Sequence, residues 1–282
     1  MSTFRRYIMG LYLQRQTPPV PEERYIEGYA SSISRINIKI NGVDNRVNVD
    51  TSNGYWRYDI DKSLVITSLE GMFNANADEG GYSNNNNITY INLEFIGDTS
   101  KNTSMKCAFS DCSSMTGIYI PPTFSTKSVR TIQNMFSSCY ALKSVDISMF
   151  DLSTIPETPN DPTGEWEGCD SNVFYMNTKY GTTQLTKVYL NYIPCRVSSN
   201  FFYGCTKLTD VYVNKIKYEF KIYQSTLINA DSLQRIVTAL HTWPSSGKPT
   251  NTNLSLSSTV QSNLTSGQKS AIQLKGWTLK TS

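Results

Sequence analysis

The sequence predicts an α/β repeat fold, a solenoid of short parallel strands with a β cap at its N-terminal end and an α/β cap at its C-terminal end. Three observations predict it. A twelve-residue phrase recurs without slippage, as Phe109, Cys112, Met115, Ile118, Ile120, then Phe136, Cys139, Leu142, Val145, Ile147, then Phe202, Cys205, Leu208, Val211, Val213. Two further copies are visible once insertions are allowed: Met72-Phe73 with Ile88, Ile91 and Leu93, and Val173-Phe174 with Leu185, Val188 and Leu190. The segments on either side change pattern, to period two before the repeats and to helical spacing after them.

Each unit has two halves. Leu142-x-x-Val145-x-Ile147 ends in period two, which fits a short strand with one face buried. The Phe-x-x-Cys half has a spacing of three, which fits one helical or 3₁₀ turn with both side chains inward. Such a unit cannot bury its apolar face alone, so neighbours must stack. The successive Phe positions lie 36, 27, 38 and 28 residues apart. Five units with unequal loops result, and the long insertions map to the surface, where recognition residues concentrate.

The residues Gly71-Met72-Phe73, the run NMFSSCYALKSVDIS at 134–148 and FFYGCTKLTDVYV at 201–213 resemble the BspA-type leucine-rich repeat family. That family occurs on surface proteins of gut and oral bacteria and in phages that infect them. The resemblance covers about 66 to 222, and LTSGQKSAIQLKGWTLK at 264–280 resembles the family's C-terminal cap. It implies a leucine-rich-repeat solenoid, adhesion or partner binding, and in some members a place in a virion. It implies no catalytic residues.

The chain divides into an arm at 1–24, a β-rich cap at 25–66, the repeats at 67–222 and a second cap at 223–282. In the arm, Phe4, Arg5, Arg6, Ile8 and Leu11 form a basic, apolar segment followed by Pro18, Pro19 and Pro21, an extended spacer. It reads as an unstructured tail, as a tether that orders against a larger assembly or, less well, as a membrane-surface segment. In the first cap, Ile36, Ile38 and Ile40 alternate, Asn41-Gly42 and Asn53-Gly54 signal turns, and Tyr55-Trp56-Arg57-Tyr58 follows. This reads as a small antiparallel sheet over the first repeat, or as a separate binding domain. In the second cap, Asn229 or Asp231 caps a helix carrying Leu233, Ile236, Val237 and Leu240. Leu254 and Leu256 then alternate as a strand, Ser266-Gly267 opens a second helix, Lys275-Gly276 stops it, and Trp277 and Leu279 begin a last strand.

Composition bounds the chemistry. Charged residues are 17%, the net charge is +3, and 18 of the aromatics are Tyr, so no nucleic-acid footprint is present and recognition would run through rings and hydrogen bonds. Of six cysteines, Cys112, Cys139 and Cys205 share one repeat position, which favours a reduced buried column over disulfides. With one histidine, His241, and no Cys-x-x-Cys, no zinc site, other metal site or cofactor is expected. His241 sits where its ring can face the last carbonyls of the cap helix. No nucleophile elbow, phosphate loop or dinucleotide fingerprint occurs, and Glu165 and Glu167 flank Trp166 in a proline-rich loop. The chain is therefore read as non-enzymatic, with a carbohydrate-active enzyme as the distant alternative.

There is no membrane-spanning run, and the first residues lack the length and cleavage site of a secretory signal. The reading is a phage virion component (fibre, tail or capsid-decorating protein), anchored to other virion proteins by its arm. The alternative is a secreted bacterial adhesin, extracellular or on the cell surface, that binds a host protein or glycan. Homo-oligomerisation is an expectation from the class. The candidate recognition residues are Tyr82 in one insertion and Trp166, Tyr175 and Tyr180 in the other, where rings would stack on a sugar or fill a partner's pocket, or instead pack along the side of the solenoid.

Overall fold

The structure, a computed structural model, describes residues 23–76, 81–155, 172–193, 200–249 and 252–281. The described residues open with β1 (Tyr25–Ala30), β2 (Arg35–Ile40), β3 (Val43–Asn48) and β4 (Tyr55–Asp59). After a 3₁₀ turn at Ser83–Asn87 come β5 (Ile88–Asn92), β6 (Gly117–Tyr119), β7 (Ser144–Ile147), β8 (Lys187–Ile193) and β9 (Asp210–Ile216). The remainder is β10 (Phe220–Lys221), α1 (Ala230–Ala239), β11 (Asn253–Leu256), α2 (Ser258–Ser262), α3 (Ser266–Leu274) and β12 (Thr278–Thr281).

These strands form several small sheets, in the orders β4-β1-β5-β6, β2-β3, β7-β8-β9 and β10-β11-β12. That corrects the expectation of a capped α/β leucine-rich-repeat solenoid. The fold is mixed α/β, antiparallel as well as parallel, and its three α-helices among the described residues all follow Asn229. Two local causes are visible. First, β1 is antiparallel to both β4 and β5, so the expected N-terminal cap and the first repeat strand are one sheet. Second, β6 is three residues long, because Pro121 and Pro122 follow Ile120 and have no N–H to offer. The parallel pairing β5–β6 therefore stops there, and β7–β8–β9 is a separate sheet.

The turns behave differently from the strands. The expected i to i+3 bond is made, from the N–H of Cys112, Cys139 and Cys205 to the carbonyls of Phe109, Phe136 and Phe202. No helix grows from it, because the residue two after each Phe lies in the left-handed region: Asp111 at φ 59°, Ser138 at 57° and Gly204 at 75°. Gly204 is required there, since a Cβ would collide with the Met176 carbonyl. Between units, Phe73, Phe109, Phe136 and Phe174 donate their N–H to Ala108, Met135, Val173 and Phe201 at 2.7–3.0 Å. The rings of Phe73, Phe109, Phe136, Phe174 and Phe202 follow one another at centroid distances of 6.0, 5.1, 5.5 and 5.5 Å. The thiols of Cys112, Cys139 and Cys205 each donate to the carbonyl of the preceding unit's Phe (Phe73, Phe109, Phe174) at 3.1 Å. All four cysteines among the described residues are buried and none is in a disulfide; Cys169 and Cys195 lie outside those residues.

A second ladder runs just before the strands. Thr116, Thr186 and Thr209 donate their hydroxyls to the carbonyls of Thr89, Lys143 and Thr186, each one unit back, at 3.0–3.1 Å. A residue that is both β-branched and hydroxylated suits this place, extended backbone on one side and an open carbonyl on the other.

The two ends are built from the patterns the sequence carries. The β2–β3 hairpin turns at Asn41 and Gly42, with φ of 52° and 77°, as a two-residue turn demands. At the start of β1, Arg24 is buried and its guanidinium donates to the carbonyls of Ile96, Asp61, Lys62 and Leu64 at 2.8–3.4 Å. Glu23 bonds Arg57 at 2.8 Å, so the body begins before residue 25. Residues 1–22, with Phe4, Arg5, Arg6, Ile8 and Leu11, lie outside the described residues. At the other end Asn229 caps α1 through the Ser232 N–H, and Thr265 with Gln268 forms a capping box on α3. The last carbonyls of α1 are taken by Lys275, whose Nζ reaches Thr238 and Leu240 at 2.6 and 2.9 Å. His241 does not serve them; its ring meets Trp243 edge-on at 4.6 Å, and burial together with Lys215, Lys217 and Lys275 lowers its pKa.

Candidate functional site

Left-handed residues flanking Phe109, Phe136 and Phe174 (Asp111, Asn134, Ser138 and Asn172) line one cleft at the edge of the stack. Asn134 and Asn172 occupy the position two before Phe136 and Phe174, at φ 54° and 62°. Asn suits this backbone because its short polar side chain tolerates it. With Asp111, Ser138, Asn76, Asn177, Tyr175 and Tyr180 they line a cleft of about 230 Å³. The cleft is thus a by-product of the turn geometry, assembled from several units rather than from one loop.

Two of the expected recognition residues meet here. Tyr175 stacks on Tyr203 at 5.1 Å, which fixes its ring, while Tyr180 is 70% exposed with the Lys179 ammonium 5.3 Å from its centroid. The floor is tied down by Tyr140, which donates to the Asn177 carbonyl at 2.9 Å and packs its ring under Gly181. Ser110 donates to Asp111 at 2.8 Å, and Asn177 accepts from the Lys179 N–H at 3.1 Å. The side-chain oxygens of Asn134 and Asn172 are buried without a hydrogen-bond partner, which costs on the order of 1–3 kcal/mol each if it persists. Tyr82 does not line the cleft; its hydroxyl is engaged by Asp44 of the β2–β3 hairpin. Trp166 lies outside the described residues.

The sequence reading missed a second tyrosine surface. The middle residue of each Ile/Val-x-Ile/Val pattern faces outward, and these residues are Asn92, Tyr119, Asp146, Tyr189 and Tyr212. Tyr189 and Tyr212 stack at 4.3 Å with rings 8° from parallel, and Arg235 of α1 lies 4.6 Å over Tyr212. On the antiparallel side, Tyr29 and Tyr55 meet edge-on at 5.8 Å, Tyr55 donates to Glu27 at 2.7 Å, and Asn92 donates to Glu27 at 3.0 Å. Period two was the available signal: once the flanking positions were assigned inward, the middle one had to point out.

Chemically, both surfaces offer rings, amides, hydroxyls and isolated charges. Asp111 is the one carboxylate among the lining residues of the cleft. Among the described residues no group of three His, Cys, Asp or Glu is placed to hold a metal ion, and no helix is long and apolar enough to cross a membrane. Comparison with family models, curated proteins and solved structures finds no match to this chain.

Proposed function

We propose that this chain is a non-enzymatic, displayed binding protein, a virion component held by its N-terminal arm with its tyrosine-rich body facing outward. The observation that carries binding is the cleft in which Tyr175 and Tyr180 converge with five amide and carboxylate side chains (Asn76, Asp111, Asn134, Asn172 and Asn177) at the edge of a stacked core. One ring fixed by packing (Tyr175), one exposed ring (Tyr180) and two amide oxygens without a partner among the described residues (Asn134 and Asn172) are what a partner-binding patch needs. Placement on a particle rests on the sequence alone, on the repeat resemblance and the basic, apolar arm before its prolines.

Deleting residues 1–22 tests the arm without cutting Glu23 and Arg24 out of the body. A folded, monodisperse body that no longer joins particles supports the virion reading. Unchanged incorporation, or no particle association for the full chain, overturns it and leaves a free adhesin. Tyr180→Ala tests the cleft separately: it should weaken binding to target cells about tenfold while leaving Tm unchanged, as expected for an exposed aromatic anchor.

A further inference from the structure

We infer that a second cleft, at the far end of β1, is a binding site for a neutral saccharide. This open cleft, of about 790 Å³, is bordered by the β1–β2 turn, the β3–β4 turn and the start of β5. Its size falls within the usual range for small-molecule sites. None of the eleven residues that line it carries a charge. A nucleotide, a phosphate or an acidic peptide would find no cation there, which leaves ligands recognised by uncharged hydrogen bonds and by contact with an aromatic ring.

The hydrogen-bonding groups are present and unspent. The hydroxyls of Tyr29, Ser32, Ser34, Thr51 and Thr89 make no hydrogen bond within the described residues. The turns that carry them are nonetheless fixed. Ala30 donates to Gly54 at 2.9 Å, Ser31 to Asn87 at 2.9 Å and Val49 to Ser34 at 2.9 Å. Asp50 is the nearest acid in the β3–β4 turn, and its carboxylate is consumed internally by Ser52 and Asn53 at 2.6–3.0 Å, so it does not line the cleft. Ser32, another lining residue, is held at φ 58°, an uncommon backbone for serine.

One aromatic side chain, Tyr29, lines the cleft. Tyr29 is 47% exposed and is braced edge-on by Tyr55. Its register partner on β5 is Tyr90, 36% exposed, so the ring surface continues from the cleft onto the sheet. A sugar ring has an apolar C–H face for a tyrosine and hydroxyls that both donate and accept, and a second sugar unit would lie toward Tyr90. This cleft shares no lining residue with the Tyr175–Tyr180 cleft, and neither site depends on the other.

The test presents the full chain to immobilised neutral and sialylated oligosaccharides, then measures affinity for the best neutral one. Neutral oligosaccharides should be retained in preference to sialylated ones. Tyr29→Ala should weaken binding about tenfold or more, and Thr51→Val, which removes a hydroxyl that bonds nothing among the described residues, about twofold to tenfold. Tyr180→Ala should leave this affinity unchanged. The inference is overturned if no neutral oligosaccharide is retained, if sialylated ones are preferred, or if Tyr180→Ala rather than Tyr29→Ala abolishes binding. Should Tyr29→Ala fail to fold, Thr51→Val decides: unchanged affinity refutes the site and a loss supports it.

Discussion

The turn side and the strand side of the repeats use the same units and end differently. On the turn side, rings and backbone bonds connect Phe73 through Phe202 without a break, and thiols add a bond at three of the four steps. On the strand side, the parallel pairing is interrupted between β6 and β7, and β5 turns its other edge to an antiparallel partner. Register along the stack is therefore set by the aromatic turns, and the strands follow where local sequence allows. Strand pairing stops at the Pro121–Pro122 pair, whereas the turn column runs past it, each unit supplying a Phe and at least one left-handed residue two positions from it (Gly71, Cys107 and Asp111, Asn134 and Ser138, Asn172, Gly204).

The most damaging way to break this contrast is Phe136→Ala at the middle of the column. It should cost about 3–5 kcal/mol, as large aromatic truncations in closed cores do, against about 1–2 kcal/mol for Val145→Ala on the strand side. Chemical denaturation monitored by circular dichroism checks both. Equal losses would remove the distinction. Two separated transitions in Phe136→Ala would show that the column is what couples the two ends.

A smaller effect sharpens the role of the loops. Asp50, Asp61, Asp98 and Asp151 each bond the serine two residues on, and each has its pKa lowered, chiefly by the serine hydroxyl in Asp50, Asp61 and Asp151 and by the backbone N–H in Asp98. A lowered native pKa adds stability above the unfolded value of 3.8 that is lost as pH falls through the native one. Asn keeps the turn acceptor and loses the charge, so the Asp98→Asn, Asp151→Asn double variant should lower Tm at neutral pH by about 2 °C or less, given its exposure. Its Tm should also vary less than the parent's below pH 4. A steeper acid dependence in the variant would sink this account.

The smallest effect lies on the tyrosine face. Burial first, then the bond to Glu27, pushes the Tyr55 hydroxyl up to about 12 from 10.0. Because the native value is raised, its contribution is complete below pH 10 and is lost as pH climbs toward 12. Tyr55→Phe should therefore show a shallower decline of Tm between pH 10 and 12 than the parent. Parallel declines would mean that the hydroxyl is not held as described.

Much of this was legible in the chain. Every Phe of the five units, including Phe73 and Phe174 across long insertions, is found in the column. Asn229 caps its helix, and Gly276 follows α3 at φ 82°. What failed was long-range pairing. Nothing in Tyr25–Ala30 says that it will separate β4 from β5, because alternation fixes which face is buried and not which strand lies alongside. The five Asp-x-Ser turns, at 50, 61, 98, 146 and 151, were present as a repeated word and passed over as loop composition. Tyr175 and Tyr180 were found because they stand in an insertion; Tyr29, Tyr90 and Tyr119 were not, because a tyrosine within a strand reads first as β propensity.

Burial raises the pKa of the Cys112, Cys139 and Cys205 thiols, well away from the reactive thiolate. Fully buried in the intact stack, they should resist alkylating reagents. They also sit at three heights of one column, each holding a different pair of units together. The molecule thereby carries three clocks of its own opening: whichever thiol is labelled first in native buffer marks where the stack comes apart, with no probe added to the chain.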